Sequence, residues 1–217
     1  MRENPIVFFL QSLVGQIQDQ RGLSTPLLTV ELALWWAMIL GGLGIAVWVW
    51  RSNASQRSLT NILILGSRMV AGAMWYLGTL WKLPLPVSDG FKFWMDSTVK
   101  FSSFQFHADI MQVFTDHIAV VQPLVFLLET FFAFSLMFGF MVRVSSLLAA
   151  LFTFNLLIGL YNDPTEWAWT YIAIIYGHVM FFATQAGRNL GLDYLIAQGK
   201  PILRGTESLM KRLRWAT

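Results

Sequence analysis

Long apolar runs separated by short polar segments dominate the chain. Five of these runs come close to or exceed the roughly 20 mostly apolar residues that a helix needs to cross a bilayer. The pattern predicts transmembrane helices at residues 27–50, 61–81, 118–138, 144–161 and 166–186. The chain is therefore expected to be an all-α integral membrane protein.

Three segments outside these runs mix apolar and polar side chains. Residues 5–18 place their apolar side chains on one helical face, which predicts an interfacial helix within residues 1–26. Residues 83–117 are too long for a hairpin connection and too aromatic for a solvated linker, so a short surface helix near residues 89–101 is expected. Residues 196–217 combine basic and apolar side chains, which is typical of a tail on an anionic membrane surface.

Composition supports lipid as the solvent of this chain. Of the 217 residues, 56% are hydrophobic and 12% are charged, whereas a soluble domain carries about 25% charged residues. Cysteine is absent, which excludes disulfides, thiolate-bound iron–sulfur clusters and zinc–thiolate sites. The net charge of +3 is concentrated in the last thirty residues, so we interpret it as lipid contact and topology rather than nucleic-acid binding.

The connections between spans alternate in charge, and this alternation predicts a topology. Arg51 and Arg57 follow the first span without an acidic residue, and Arg143 lies in the turn after the third. The second connection carries four aspartates against two lysines, and the fourth carries Asp163 and Glu166 without a basic residue. Because basic connections stay in the cytoplasm, we expect the N-terminus outside and the C-terminus inside, in the cytoplasmic membrane of a bacterium or archaeon.

Three ionisable side chains interrupt the apolar spans at similar estimated depth. Arg68, Glu129 and His178 lie roughly seven to nine residues from the cytoplasmic ends of their spans. Ionisable groups in hydrocarbon are costly and usually have a partner or a function. Tyr76 shares a helical face with Arg68, and Tyr171 shares one with His178. The pattern predicts a bundle whose inner seam holds an Arg68–Glu129 pair, a histidine and two tyrosines.

Three interpretations of this cluster stay open. In the first, Arg68 and Glu129 neutralise one another and His178 donates an interhelical hydrogen bond, with no function beyond stability. In the second, a quinone ring accepts hydrogen bonds from Arg68 or His178 beside Tyr76 and Tyr171, while Glu129 and His178 move protons as catalytic groups. In the third, His178 is the axial ligand of a haem or pigment, which is poorly supported because the spans contain no second histidine. No metal site is predicted.

Short motifs recur in a fixed order along the last four spans. They are Arg68, Gly72, Gly78 and Lys82 on the second span, Glu129, Gly139 and Arg143 on and after the third, and Gly187, Arg188 and Asp193 after the fifth. In this order the motifs resemble those of the DoxX/DoxD family of small integral membrane proteins, over roughly residues 60–195.

The resemblance implies a fold and a function. The fold is a DoxX-like four-helix transmembrane bundle at residues 59–195, with residues 83–117 as an outer insertion and residues 27–58 as one extra N-terminal transmembrane helix and loop. The DoxD branch is the membrane subunit of thiosulfate:quinone oxidoreductase, so the resemblance implies a quinone-linked electron-transport subunit. Arg68 and His178 would hold the quinone, and Glu129 would fix Arg68 and take part in proton transfer.

Two other functions stay open. The extra helix and the amphipathic termini also suit a non-catalytic accessory subunit that stabilises a larger respiratory or photosynthetic complex. A small-molecule transporter is less well supported, because no pair of broken helices occurs in matching halves of the chain. For both the quinone-linked subunit and the accessory subunit, the expected partners are membrane lipids and other subunits of a membrane complex, and not nucleic acid.

Overall fold

A computed structural model describes residues 25–198, with side chains from residue 30 onward. This part of the chain is helical and contains no strand. The predicted interfacial helix at residues 5–18 and the basic tail from residue 199 lie outside the described residues. The protein is an all-α, multi-pass membrane protein.

Eight α-helices make up the described chain. They are α1 (Thr25–Ser52), α2 (Leu59–Leu80), α3 (Asp89–Lys100), α4 (Gln105–Asp116), α5 (Ile118–Phe138), α6 (Val142–Leu160), α7 (Ala168–Ala183) and α8 (Leu192–Ala197). Helices α1, α2, α5 and α6 are long and apolar enough to cross a membrane. Helix α7 is also apolar, but its 16 residues extend only about 24 Å, less than the ~30 Å hydrocarbon core. The fifth predicted span is therefore shorter than expected.

The insertion at residues 83–117 contains two helices where one was expected. Helix α3 begins at a clear signal, since Ser88 caps it by accepting a hydrogen bond from the backbone N–H of Phe91. Helix α4 follows Phe104, whose side chain makes no capping hydrogen bond. The sequence therefore contains no capping residue that would predict where α4 begins. Met95 and Met111 bury their side chains between the two helices and α5.

Helices α2 and α5 pack antiparallel but are offset along their axes. Gly72 lies against α5, where a Cβ atom would be 3.1 Å from the carbonyl oxygen of Ala133 and 2.8 Å from the Met137 side chain. Leu80, the last residue of α2, lies eight positions further on and is therefore level with about the ninth residue of α5. About 14 Å of α5 extends beyond α2, and α3 and α4 pack beside that part.

Close approach of α1 to α5 depends on small residues. A Cβ atom on Gly42 would lie 2.6 Å from the carbonyl oxygen of Met137, and one on Gly41 would meet the ring of Phe138. Small residues on α1 thus allow α5 to approach closely. Nearer the start of α1, Trp35 is fully buried and stacks on Tyr76 of α2.

Candidate functional site

A cavity of about 530 Å³ lies where α2 ends, between α3, α4, α5, α6 and α7. Most of its wall is apolar and aromatic, with Trp81, Phe91, Trp94, Phe114, Phe152 and Leu156 among the lining residues. Its charged and strongly polar groups are Lys82, Glu129, Asn155, Glu166 and Tyr171. A concave, mainly apolar cavity with a few polar groups is the usual form of a small-molecule site.

The most buried polar feature of the cavity wall is an ion pair between α2 and α5. Lys82 Nζ lies 2.5 Å from Glu129 Oε2, and the two side chains are 3% and 6% exposed. Lys82 also donates to the carbonyl oxygen of Gly78 at 2.8 Å and lies 4.0 Å from the centre of the Trp81 ring. Helical side chains incline toward the N-terminus of their helix, so a lysine just after α2 reaches back into the bundle and meets Glu129.

The predicted Arg68–Glu129 pair is wrong. Arg68 is fully buried but donates to the carbonyl oxygens of Ala186 and Leu190, at 3.4 and 3.5 Å. Two physical reasons explain the error. The depth estimate assumed that the start of α2 and the end of α5, which face the same side of the membrane, are level. The two helices are instead offset along their axes. The side chain of Arg68 also extends toward the start of α2 and therefore away from Glu129.

Arg68 belongs to a second polar cluster, at the end of the bundle near α8. Asp193 accepts hydrogen bonds there from the backbone N–H groups of Met141 at 2.7 Å and Val142 at 3.0 Å. Its own N–H donates to the carbonyl oxygen of Gly139 at 2.7 Å. Burial raises the pKa of Asp193 to about 6, although these N–H groups and Arg68 favour the charged form. The cluster joins α2, α5, α6 and α8, so a structural role accounts for it.

The backbone in this cluster leaves no room for side chains at two of the motif glycines. Gly139 has a φ of +66°, and a Cβ atom on it would overlap Arg68 Nη1. A Cβ atom on Gly187 would overlap the Asp193 carboxylate. Packing therefore explains why glycine is required at these positions.

His178 also lies away from the cavity. Its Nε2 accepts a hydrogen bond from Trp75 Nε1 at 2.8 Å, so the histidine is the acceptor and not the predicted donor. Its buried Nδ1 has no hydrogen-bond partner among the residues described. Trp75 packs against Phe132 and Phe152, with ring centres 5.0 and 6.0 Å apart, and Phe152 lines the cavity. Trp75 and Phe152 thus lie between His178 and the cavity.

The two predicted tyrosines differ in position. Tyr171 lines the cavity and donates to Glu166 Oε2 at 2.8 Å. Tyr76 donates to the carbonyl oxygen of Glu31 at 2.6 Å, which joins α2 to α1 away from the cavity. Of the five predicted site residues, Glu129 and Tyr171 lie in the cavity wall, whereas Arg68, Tyr76 and His178 do not.

Sequence reasoning missed three residues that shape the site. The first is Lys82, which follows the last turn of α2 and whose side chain reaches back to Glu129. Asn155 lines the cavity, and its Oδ1 lies 3.0 Å from Nε2 of the buried His107. These two residues are 48 positions apart on α6 and α4, so no local spacing could have joined them.

Comparisons with protein-family models, curated proteins and solved structures return no match to this chain. The resemblance to the DoxX/DoxD family therefore has no support beyond the short motifs. Several of those motif residues have packing or charge-pairing roles in the structure. The function has to be argued from the cavity itself.

Proposed function

We propose that the protein is an integral membrane subunit of a quinone-linked electron-transport system, and that the cavity binds the quinone head group. The buried Lys82–Glu129 pair in a mainly apolar wall carries this proposal. A quinone ring is flat and apolar except for two carbonyl oxygens, so it requires apolar walls and a few hydrogen-bond donors. The resemblance to the DoxX/DoxD family favours the same class of ligand.

The residues in the wall have distinct proposed roles. Lys82 donates an N–H to one carbonyl oxygen of the ring while Glu129 balances its charge. Glu129 also exchanges a proton with the bound ring, and Tyr171, hydrogen-bonded to Glu166, is a second proton-carrying group in the wall. Quinone, when bound, supplies the coupling of electron transfer to proton transfer. Lys82 takes the role that the sequence assigned to Arg68.

The topology completes the proposal. With the N-terminus outside a bacterial or archaeal cytoplasmic membrane, the end of α2, α3 and α4 would lie at the outer face. The cavity would then be reached from the outer half of the bilayer. Electrons would come from another subunit of the complex, and the DoxD resemblance adds thiosulfate as the donor.

Quinone binding by the purified protein tests the proposal. Trp81 and Trp94 lie in the cavity wall, so a short-tailed ubiquinone added to protein in lipid nanodiscs should quench tryptophan fluorescence with saturation. The double variant Lys82→Met/Glu129→Leu removes both charges together and should bind at least tenfold more weakly, since a charge-assisted hydrogen bond contributes about 1.5–3 kcal/mol.

The matched control is Lys92→Met/Asp96→Leu. These residues form an exposed ion pair on α3 with a separation of 3.0 Å and do not line the cavity. This control should bind quinone as the wild type does. A wild-type protein that binds no quinone, or a Lys82/Glu129 double variant with unchanged affinity, contradicts the proposal. Absence of binding combined with co-purification in an intact complex would favour the accessory-subunit alternative.

A further inference from the structure

We propose that Asn155 is a second polar contact for the bound ring, with its side-chain N–H₂ donating to an acceptor oxygen of the ligand, and that His107 is the positioning residue that fixes this orientation. The inference rests on the proposed quinone function and deepens it. It assigns the cavity a ligand with two acceptor oxygens, met by donors from different walls.

The geometry around Asn155 commits one end of its amide and leaves the other end for the cavity. Its Oδ1 lies 3.0 Å from His107 Nε2, which is hydrogen-bonding distance. An imidazole N–H donates to an amide oxygen, so the oxygen of Asn155 is engaged in the wall. Within residues 25–198, Nδ2 of Asn155 makes no hydrogen bond to another residue, although the side chain lines the cavity.

His107 is itself held on both sides. Its Nδ1 lies 2.8 Å from Ser102 Oγ, which is also 3.2 Å from the carbonyl oxygen of Phe104. When the single hydroxyl proton of Ser102 goes to the nearer acceptor, Nδ1, the ring proton is on Nε2, the atom that faces Asn155. His107 is only 7% exposed. Gly159 of α6 allows the ring to approach, since a Cβ atom on this residue would lie 3.2 Å from His107 Cε1.

The connection between α3 and α4 is anchored to the end of α6. The Ser103 N–H donates to the carbonyl oxygen of Ile158 at 2.9 Å, and the Asn162 N–H donates to that of Phe101 at 3.3 Å. These bonds hold the segment that carries His107 against the helix that carries Asn155. The amide direction is therefore set before a ligand arrives, which lowers the entropic cost of binding.

Infrared difference spectroscopy on a short-tailed ubiquinone with ¹³C-labelled carbonyl groups tests the inference. A hydrogen bond lowers the stretching frequency of the carbonyl that accepts it. In wild-type protein we expect both carbonyl bands of the bound quinone to be lower than in the free quinone. Asn155→Leu, which is similar in size, and Asn155→Ala both remove the donor and should return one band to the free value and weaken binding about five- to tenfold.

Variants of His107 separate positioning from simple stability. His107→Leu should shift the same band as the Asn155 variants. His107→Gln should restore that band, because the glutamine amide can donate to Asn155 Oδ1 in place of the imidazole. The control is Asn61→Leu, the same change at an amide far from the cavity that donates to the carbonyl oxygen of Gln56. It should leave both bands in place.

The outcomes distinguish the two proposals. Quinone that binds to wild-type protein with no band shift in the Asn155 variants overturns the role of Asn155 and leaves the quinone site intact. A band that shifts in His107→Leu and is not restored in His107→Gln overturns the positioning role of His107. Absence of quinone binding by wild-type protein overturns both the inference and the proposed function.

Discussion

Lys82 and Glu129 form a buried ion pair between the end of one helix and the middle of another. Their charged atoms lie 2.5 Å apart, and the pair lines an otherwise mostly apolar cavity. In such surroundings, two opposite charges in contact are tolerated, whereas one alone is not. Removing one of the two charges should therefore destabilise the fold more than removing both.

Lys82→Met should destabilise the fold strongly. The change leaves the Glu129 carboxylate buried without its cation, which costs about 3–5 kcal/mol of unfolding free energy. Adding Glu129→Leu should recover most of this loss, because the second charge is then also removed. Denaturant unfolding in detergent measures both. As a control, Lys92→Met breaks an exposed pair and should change stability by less than about 0.5 kcal/mol. Equal stability of Lys82→Met and wild type would contradict this account of the pair.

Gly139→Ala should destabilise the end of the bundle near α8. The backbone there has a φ of +66°, which costs an L-residue about 1–2 kcal/mol, and the new methyl group would also displace Arg68. Gly177→Ala is the control, since a Cβ atom there meets nothing within 4 Å and alanine favours the helix by up to about 1 kcal/mol. Thermal unfolding of both variants in detergent gives the comparison. A Gly139→Ala protein as stable as Gly177→Ala would be incompatible with the packing around Arg68.

Asp193 should make stability depend on pH in a defined window. Burial raises its pKa from 3.8 to about 6, so between these values the folded protein binds a proton that the unfolded chain releases. The contribution of this carboxyl to stability is complete below about pH 4, falls as the pH rises to about 6, and is constant above that. The slope reaches at most about 1.4 kcal/mol per pH unit.

The measurement is unfolding free energy against pH for wild type and Asp193→Asn. Subtracting one curve from the other isolates this carboxyl from the remaining titratable groups. A difference curve that is flat between pH 4 and 6, or that rises with pH, would show that Asp193 is not protonated more readily in the folded protein.

His178→Phe should lower stability and leave quinone binding unchanged. The substitution removes the acceptor for Trp75 Nε1, and a buried donor without a partner costs about 1–3 kcal/mol. The site lies behind Trp75 and outside the cavity wall, so affinity for quinone should remain within about twofold of wild type. Tryptophan fluorescence titration and denaturant unfolding report the two quantities separately. A tenfold loss of affinity would restore the catalytic or binding role that the sequence suggested for His178.

Several features of the fold were predictable because local sequence determines them. The third predicted span, residues 118–138, matches α5, and the second differs from α2 by two residues at its start and one at its end. Gly139 ends α5 with a left-handed backbone, as its position after a long apolar run indicates. Apolar length and glycine positions are properties of a single segment and require no knowledge of its neighbours.

The site was only partly predictable, because it depends on how the helices are placed relative to one another. Glu129 and Tyr171 were identified as polar residues in apolar helices, and both line the cavity. The partner of Glu129 is not predictable in this way, because its pairing with Lys82 depends on the offset between α2 and α5. The contact between Asn155 and His107 depends on how the insertion folds over α6. Neither arrangement follows from spacing within one segment.

The offset of α2 along α5 shows how such a protein can gain or lose a binding site. Because α2 is displaced along α5, about two turns of α5 have no part of α2 beside them, and the following stretch of chain needs only to cover that space. No helix has to bend, unwind or separate from another. Lengthening α2 by two turns would fill such a pocket, and removing those turns would open it again, while the rest of the bundle stays the same.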